Sequence, residues 1–113
     1  MDNNAKKYLF DILNSITSIE RYLGEKRVFA DYIKNDMLQK AVERQIEIIG
    51  EAVNKFSQLN TGVVITNSRR IIDTRNYVIH GYDKVDNAII WGIIIKHLPK
   101  LKQEVEVLLN KTK

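Results

Sequence analysis

The sequence predicts an all-α protein, an antiparallel bundle of four to five helices. Three observations carry that reading. Turn-forming residues are scarce, with 5 Gly and 1 Pro in 113 residues, so reversals are few and the helices must be long. Apolar residues recur at helical steps over several separate stretches. The one strand-like run, Val63-Val64-Ile65, is too short to build a sheet and reads as a linker.

The first helix is expected from about Lys6 to Leu23. Tyr8, Leu9, Ile12, Leu13, Ile16, Ile19, Tyr22 and Leu23 form one amphipathic stripe, and Gly24 is a natural stop. The second helix should be the longest, from about Phe29 or Tyr32 to Leu59. Leu38, Ala41, Val42, Gln45, Ile49, Ala52, Val53 and Phe56 share a face, and Ile46 and Ile48 widen it, so neighbours are expected on two sides. Gly50 sits mid-helix, where glycine costs about 1 kcal/mol relative to alanine; close approach of another helix explains it.

Thr66, Asn67 or Ser68 caps a third helix carrying Arg69 to about His80. Gly81-Tyr82-Asp83 forms a turn, and Asp86 caps a fourth helix from Asn87. Pro99 falls inside a continuing apolar period (Ile90, Ile94, Leu98, Leu101, Val105, Leu108). It should kink or split that helix near His97.

A length of 113 residues suits one domain, residues 1–113, with a modest core. Apolar residues at 44% and charged residues at 28% are an ordinary soluble balance. The absence of cysteine excludes disulfides, a thiolate nucleophile and Cys-based zinc sites. Two histidines are too few for a metal cage, so neither metal nor cofactor is expected. The polar N-terminus lacks an apolar signal core, and the apolar run Ala88 to Ile95 is far short of the about 20 residues that span a bilayer. A soluble, cytoplasmic protein is expected. The net charge of +4 permits contact with a polyanion without proving it. Much of the excess lies from Lys96 onward, where lysines complementing the dipole of a solvated helix end are the favoured explanation.

The segment that carries chemistry is Arg75-Asn76-Tyr77-Val78-Ile79-His80-Gly81-Tyr82. Arginine presents a permanent cation with a planar fork that suits phosphate. Histidine takes and returns a proton near neutral pH. Together they are a minimum kit for cutting RNA without a metal. On an unbroken helix Arg75 and His80 stand about 140° apart and do not converge. Two routes bring them together. Gly81 can release the chain from the helix and free the imidazole's direction, or a two-fold dimer can line one groove with both residues from both chains. Plainer readings stand beside these: His80 as a helix-end cap, and Tyr82 as a packed core tyrosine.

The segment resembles the HEPN superfamily signature: an arginine, a polar residue, three variable residues and a histidine. More closely it is similar to the HepT toxin branch, in which one residue and a tyrosine follow the histidine. Arg75, Asn76, His80 and Tyr82 fill those places. The first helix, Ala41-Val42-Glu43-Arg44 leading into Ile48-Ile49-Gly50-Glu51-Ala52, and Val85-Asp86 through Trp91 to Leu98-Pro99-Lys100-Leu101 also resemble HepT.

The resemblance implies a homodimeric ribonuclease, the toxin of a toxin–antitoxin pair. Its partner would be a minimal nucleotidyltransferase (MNT) antitoxin of the MntA type that transfers AMP to Tyr82. Arg75 and His80 are then the catalytic pair, with Asn76 and Tyr82 supporting. The alternative is a non-catalytic helical partner subunit of a nucleotidyltransferase, in which Arg75 binds phosphate and His80 moves no proton.

Glu43, Glu47 and Glu51 form a row at single-turn spacing with Arg44 and Lys55 nearby. A salt-bridged polar face is the expectation, with contact to the motif across a dimer left open. His97 is expected at the surface, and Trp91 in the core or a dimer surface.

Overall fold

The computed structural model describes residues 3–81 and 85–111, and among these every regular element is helical. Met1, Asp2, Thr112 and Lys113 lie outside the described residues, as do Tyr82 and Asp83, expected in a turn, and Lys84.

Helix α1 spans Asn3–Leu23 and buries Ala5, Leu9, Ile12, Ser15, Ile16 and Ile19. It ends as expected at Gly24, whose φ of +70° is left-handed and whose N–H donates to the Glu20 carbonyl at 2.9 Å. A Cβ there would meet nothing within 4 Å, so this glycine serves conformation alone.

The expected long second helix is two helices. Helix α2 is a single turn, Phe29–Tyr32, and α3 runs Asp36–Ser57. Asn35 breaks them apart: its backbone is extended, and its side-chain oxygen accepts from the Leu38 N–H at 3.0 Å. An asparagine that satisfies a free N–H in this way starts a helix better than it continues one. Helix α3 packs on both α1 and α4, the two-sided contact that its wide apolar face anticipated. Val63, Val64 and Ile65 form a linker, as expected. Ile65 is buried, and Glu104 accepts from both the N–H and the hydroxyl of neighbouring Thr66, at 3.1 and 2.9 Å.

Helix α4, Ser68–His80, follows an Asn67 cap held in the left-handed region. Helix α5, Asn87–Gly92, starts where expected: Asp86 accepts from the Ala88 N–H at 2.9 Å. Residues Ile93–His97 then widen into a π-helical turn before α6, Leu98–Lys111. The break near His97 is thus real, and its form follows from Pro99. Proline has no N–H to give and its ring conflicts with the carbonyl four residues back, here Ile95; a wider turn just upstream accommodates both.

The core is rich in isoleucine and runs through all four long rods, with Leu9, Ile49, Phe56, Ile90 and Leu101 almost fully enclosed. Trp91 packs against the rings of Phe29 at 5.8 Å and Tyr32 at 5.3 Å, so it belongs to the chain's own packing. His97 is not the surface residue expected. It is half-buried, and its Nδ1 is enclosed without a partner. No helix among the described residues is long and apolar enough to cross a membrane.

Candidate active site

The site is built where α4 crosses α3. Gly50 is the crossing point, as its mid-helix place suggested. A Cβ there would collide with the Arg75 Cβ, stand 2.7 Å from its Cγ, and lie 3.3 Å from the Ile71 carbonyl oxygen. Arg75 therefore lies with its stem pressed against bare backbone of α3, and its head is delivered to the next residue of that helix, Glu51.

The Arg75 Nη2 donates to Glu51 Oε2 at 2.6 Å, and its Nη1 donates to Asn76 Oδ1 at 2.9 Å. Its Nε is enclosed without a partner. The other oxygen of Glu51 faces Lys55 Nζ at 3.5 Å. Arg75 remains 26% exposed and Glu51 44%, so solvent and ligands reach the pair. They sit in a groove of about 370 Å³ between α1, α3 and α4, whose lining includes Tyr8, Arg44, Lys55 and Ile79.

The acidic row of α3 is a salt-bridged face, as expected. Lys40 meets Glu43 at 3.9 Å, Arg44 meets Glu47 at 3.1 Å, and Lys55 meets Glu51. Its contact with the motif is made within one chain, through Glu51. Glu43 is the buried member. Burial pushes its carboxyl above the ordinary range; Lys40 opposes the rise, while Asp36 and Glu47 add to it.

His80 is the last residue of α4 and is exposed. Gly81 does not redirect it. Its φ of −73° and ψ of −7° continue the right-handed helical form, so the imidazole keeps its place on the helix and stays on a different face from Arg75. The route through a freed glycine is therefore not the one this chain takes. Gly81 is needed for space: a Cβ would stand 2.8 Å from the Tyr77 carbonyl oxygen and 2.9 Å from Val85 Cγ2. Tyr77 also holds the chain at the start of α5, since its hydroxyl oxygen accepts from the Asp86 N–H at 2.6 Å. Tyr82, expected as a supporting and modified residue, lies outside the described residues.

The arc of α4 between Arg75 and His80 carries two isoleucines. Turning about 100° per residue places Ile79 and Ile72 between them, then Asn76. Ile79 is 41% exposed, an apolar side chain between a cation and an imidazole.

Two contacts are not foreseen in the sequence: that of Glu51 with Arg75 inside one chain, and that of Tyr77 with Asp86. Glu51 had a signal: a glycine at a helix crossing brings its sequence neighbours to the crossing helix. Tyr77 had none, because its bond depends on how α5 packs beside α4.

The fold and site together define a small all-helical protein with an arginine-to-histidine motif on the last turns of one helix. The family model described as "Ribonuclease HepT-like" matches residues 12–108, and the chain belongs to that family, a branch of the HEPN superfamily. A protein of Methanocaldococcus jannaschii provisionally named an RNase is 32% identical, covering 92% of this chain and 95% of its own length. One of Thermococcus cleftensis, provisionally named ribonuclease HepT, is 34% identical, covering 96% of this chain and 98% of its own length. One of Caldanaerobacter subterraneus subsp. tengcongensis, also provisionally named an RNase, is 36% identical over 84% of each chain. No solved structure gives a significant match.

Proposed function

We propose that this HEPN-type ribonuclease is the toxin of a toxin–antitoxin pair. It cuts single-stranded or looped RNA internally and without a metal ion, acting as a homodimer. The observation that carries the reading is the side-chain arrangement of Arg75. Its terminal nitrogens are anchored by Glu51 and Asn76 in an open groove, with exposed His80 on the same helix end.

In the reaction, the 2′-hydroxyl of the substrate attacks the adjacent phosphorus, and a basic imidazole takes its proton. The bond from phosphorus to the 5′-oxygen breaks, and that oxygen takes a proton from a second, protonated imidazole. The products are a 2′,3′-cyclic phosphate and a 5′-hydroxyl. Arg75 holds the phosphate and offsets the charge that grows on its oxygens. A well-placed proton donor or acceptor contributes about 10²–10⁴-fold.

Within one chain Arg75 and His80 face apart. A second copy packed over the Ile72 and Ile79 strip brings two arginines and two histidines to one groove, and supplies both acid and base. The partner is a minimal nucleotidyltransferase antitoxin that silences the toxin by attaching AMP to Tyr82. The adduct's phosphate then competes with RNA for Arg75.

Purified protein incubated with single-stranded RNA and EDTA tests this directly. Cleavage should persist in the chelator, leave cyclic phosphate ends, and disappear in both Arg75→Ala and His80→Ala. Cleavage that stops with EDTA or survives unchanged in those variants overturns the proposal.

A further inference from the structure

The contact between Glu51 and Arg75 joins residues on two helices, and its geometry suits catalysis better than it suits stability. Resting on the reading that Arg75 holds the scissile phosphate, we infer that Glu51 is a positioning residue for RNA cleavage: its carboxylate fixes the plane of the Arg75 guanidinium toward the phosphate.

A guanidinium has five N–H groups in a rigid fork. Here one N–H of Nη2 goes to Glu51 and one of Nη1 goes to Asn76, at 2.6 and 2.9 Å. Each terminal nitrogen keeps one N–H that a phosphate oxygen can accept. The two anchors come from different helices, Glu51 from α3 and Asn76 from α4. Rotation about the bonds near the guanidinium breaks at least one of them. Without Glu51, the remaining anchor is the adjacent residue on the arginine's own helix, which moves with it. The stem is already clamped over Gly50, so the carboxylate fixes the last free part of the side chain.

Two other roles fit less well. Ion pairs as exposed as this one, at 26% and 44%, add little to stability. A proton-transfer role fits less well because both carboxylate oxygens already face cations, Oε2 Arg75 and Oε1 Lys55. The carboxylate also opposes an approaching phosphate by like charge. Removing it therefore should not weaken RNA binding, even as it loosens the arginine. That combination separates orientation from simple attraction.

The test compares steady-state cleavage of a short single-stranded RNA by the full-length wild type, Glu51→Ala and Glu51→Gln, with thermal melts alongside. Glu51→Ala should lower kcat at least tenfold while KM stays level or falls. Glu51→Gln keeps an oxygen acceptor for Nη2 and should recover most of kcat. A Glu51→Ala kcat within twofold of wild type, or a KM that rises while kcat holds, overturns the inference. So does equal impairment of the alanine and glutamine variants. Should Glu51→Ala not fold, Glu51→Asp, whose carboxylate is drawn back by one methylene, carries the same split.

A readout without RNA is NMR of the Arg75 guanidinium. Its terminal protons should be resolved by slow rotation in the wild type and averaged in Glu51→Ala; averaging in both proteins overturns the inference. If the wild type fails to cut RNA, the proposed function falls, while the NMR comparison still decides whether Glu51 fixes the arginine.

Discussion

Gly50 and Arg75 occupy each other's space: the stem of the arginine lies where a side chain of residue 50 would be, with its Cγ 2.7 Å from the position of a Cβ. A residue that weakens its own helix is thus the condition for placing the Arg75 guanidinium beside Glu51. The helix tolerates the glycine because the crossing depends on it.

Gly50→Ala tests that condition. Alanine favours a helix interior by about 1 kcal/mol over glycine. Against this, the added carbon meets the rigid stem of Arg75 and backbone of Ile71, not a flexible side-chain end. Overpacking of this kind costs about 1–3 kcal/mol, so overpacking should win. Urea denaturation should show a net loss of up to about 2 kcal/mol, with RNA cleavage falling as Arg75 is displaced. A variant as stable and active as wild type would show that α3 and α4 separate freely.

Much of this was legible in the sequence because it depends on local chemistry. Gly24, Asp86 and the disturbance before Pro99 each follow from one residue's backbone limits. The amphipathic stripes of α1 and α3 follow from periodicity. The break at Asn35 is hidden in the sequence because apolar residues on either side form one continuous stripe, and a capping side chain interrupts a helix without disturbing that pattern. Glu51 was read as part of a surface row, since i,i+4 partners on its own helix already explained it. Its link to Arg75 spans 24 positions, and only the packing of α4 on α3 brings the two together. The enclosure of His97 is hidden for a similar reason: lysines beside it in sequence suggest solvent, but burial of its ring is decided by the packed helices.

Tyr77→Phe should loosen the return of the chain after α4. The hydroxyl oxygen accepts the Asp86 N–H at 2.6 Å, immediately before the Asp86 cap of α5. Asp86 is exposed, so water replaces the lost acceptor and the cost stays near 0.5–1.5 kcal/mol, the usual net value of about one hydrogen bond. Hydrogen exchange at the Asp86 amide should quicken while amides in α1 and α3 stay protected. Unchanged exchange at Asp86 would show that the bond does not persist in solution.

Acid should destabilise the protein through His97. Burial lowers its basicity below the ordinary 6.5, and Arg70 from α4, Lys100 from α6 and neighbouring Lys96 lower it further. The folded state therefore resists a proton that the unfolded chain accepts. Stability is unaffected well above pH 6.5, falls as pH drops from there toward the lowered folded value, and levels off below it. Melting midpoints at about pH 7.5 and about pH 5.5, on either side of the ordinary histidine value, should differ more for the wild type than for His97→Gln. An equal difference in both proteins would remove His97 as the cause.

Tyr82→Phe separates toxicity from its control. Phenylalanine keeps the ring but has no hydroxyl to form the phosphoester with AMP, so a nucleotidyltransferase antitoxin has nothing to modify at this position. Arg75 and His80 are untouched, and the proposed cleavage draws on neither the phenol nor its proton. Cells expressing Tyr82→Phe with the cognate antitoxin should stop growing, whereas wild type expressed with the same antitoxin should be tolerated. Mass spectrometry of the wild type should find an added adenylyl group on the peptide containing residue 82, and the variant should lack it. Neutralisation of Tyr82→Phe as complete as that of wild type would mean that the antitoxin acts by binding, with the tyrosine hydroxyl playing no part.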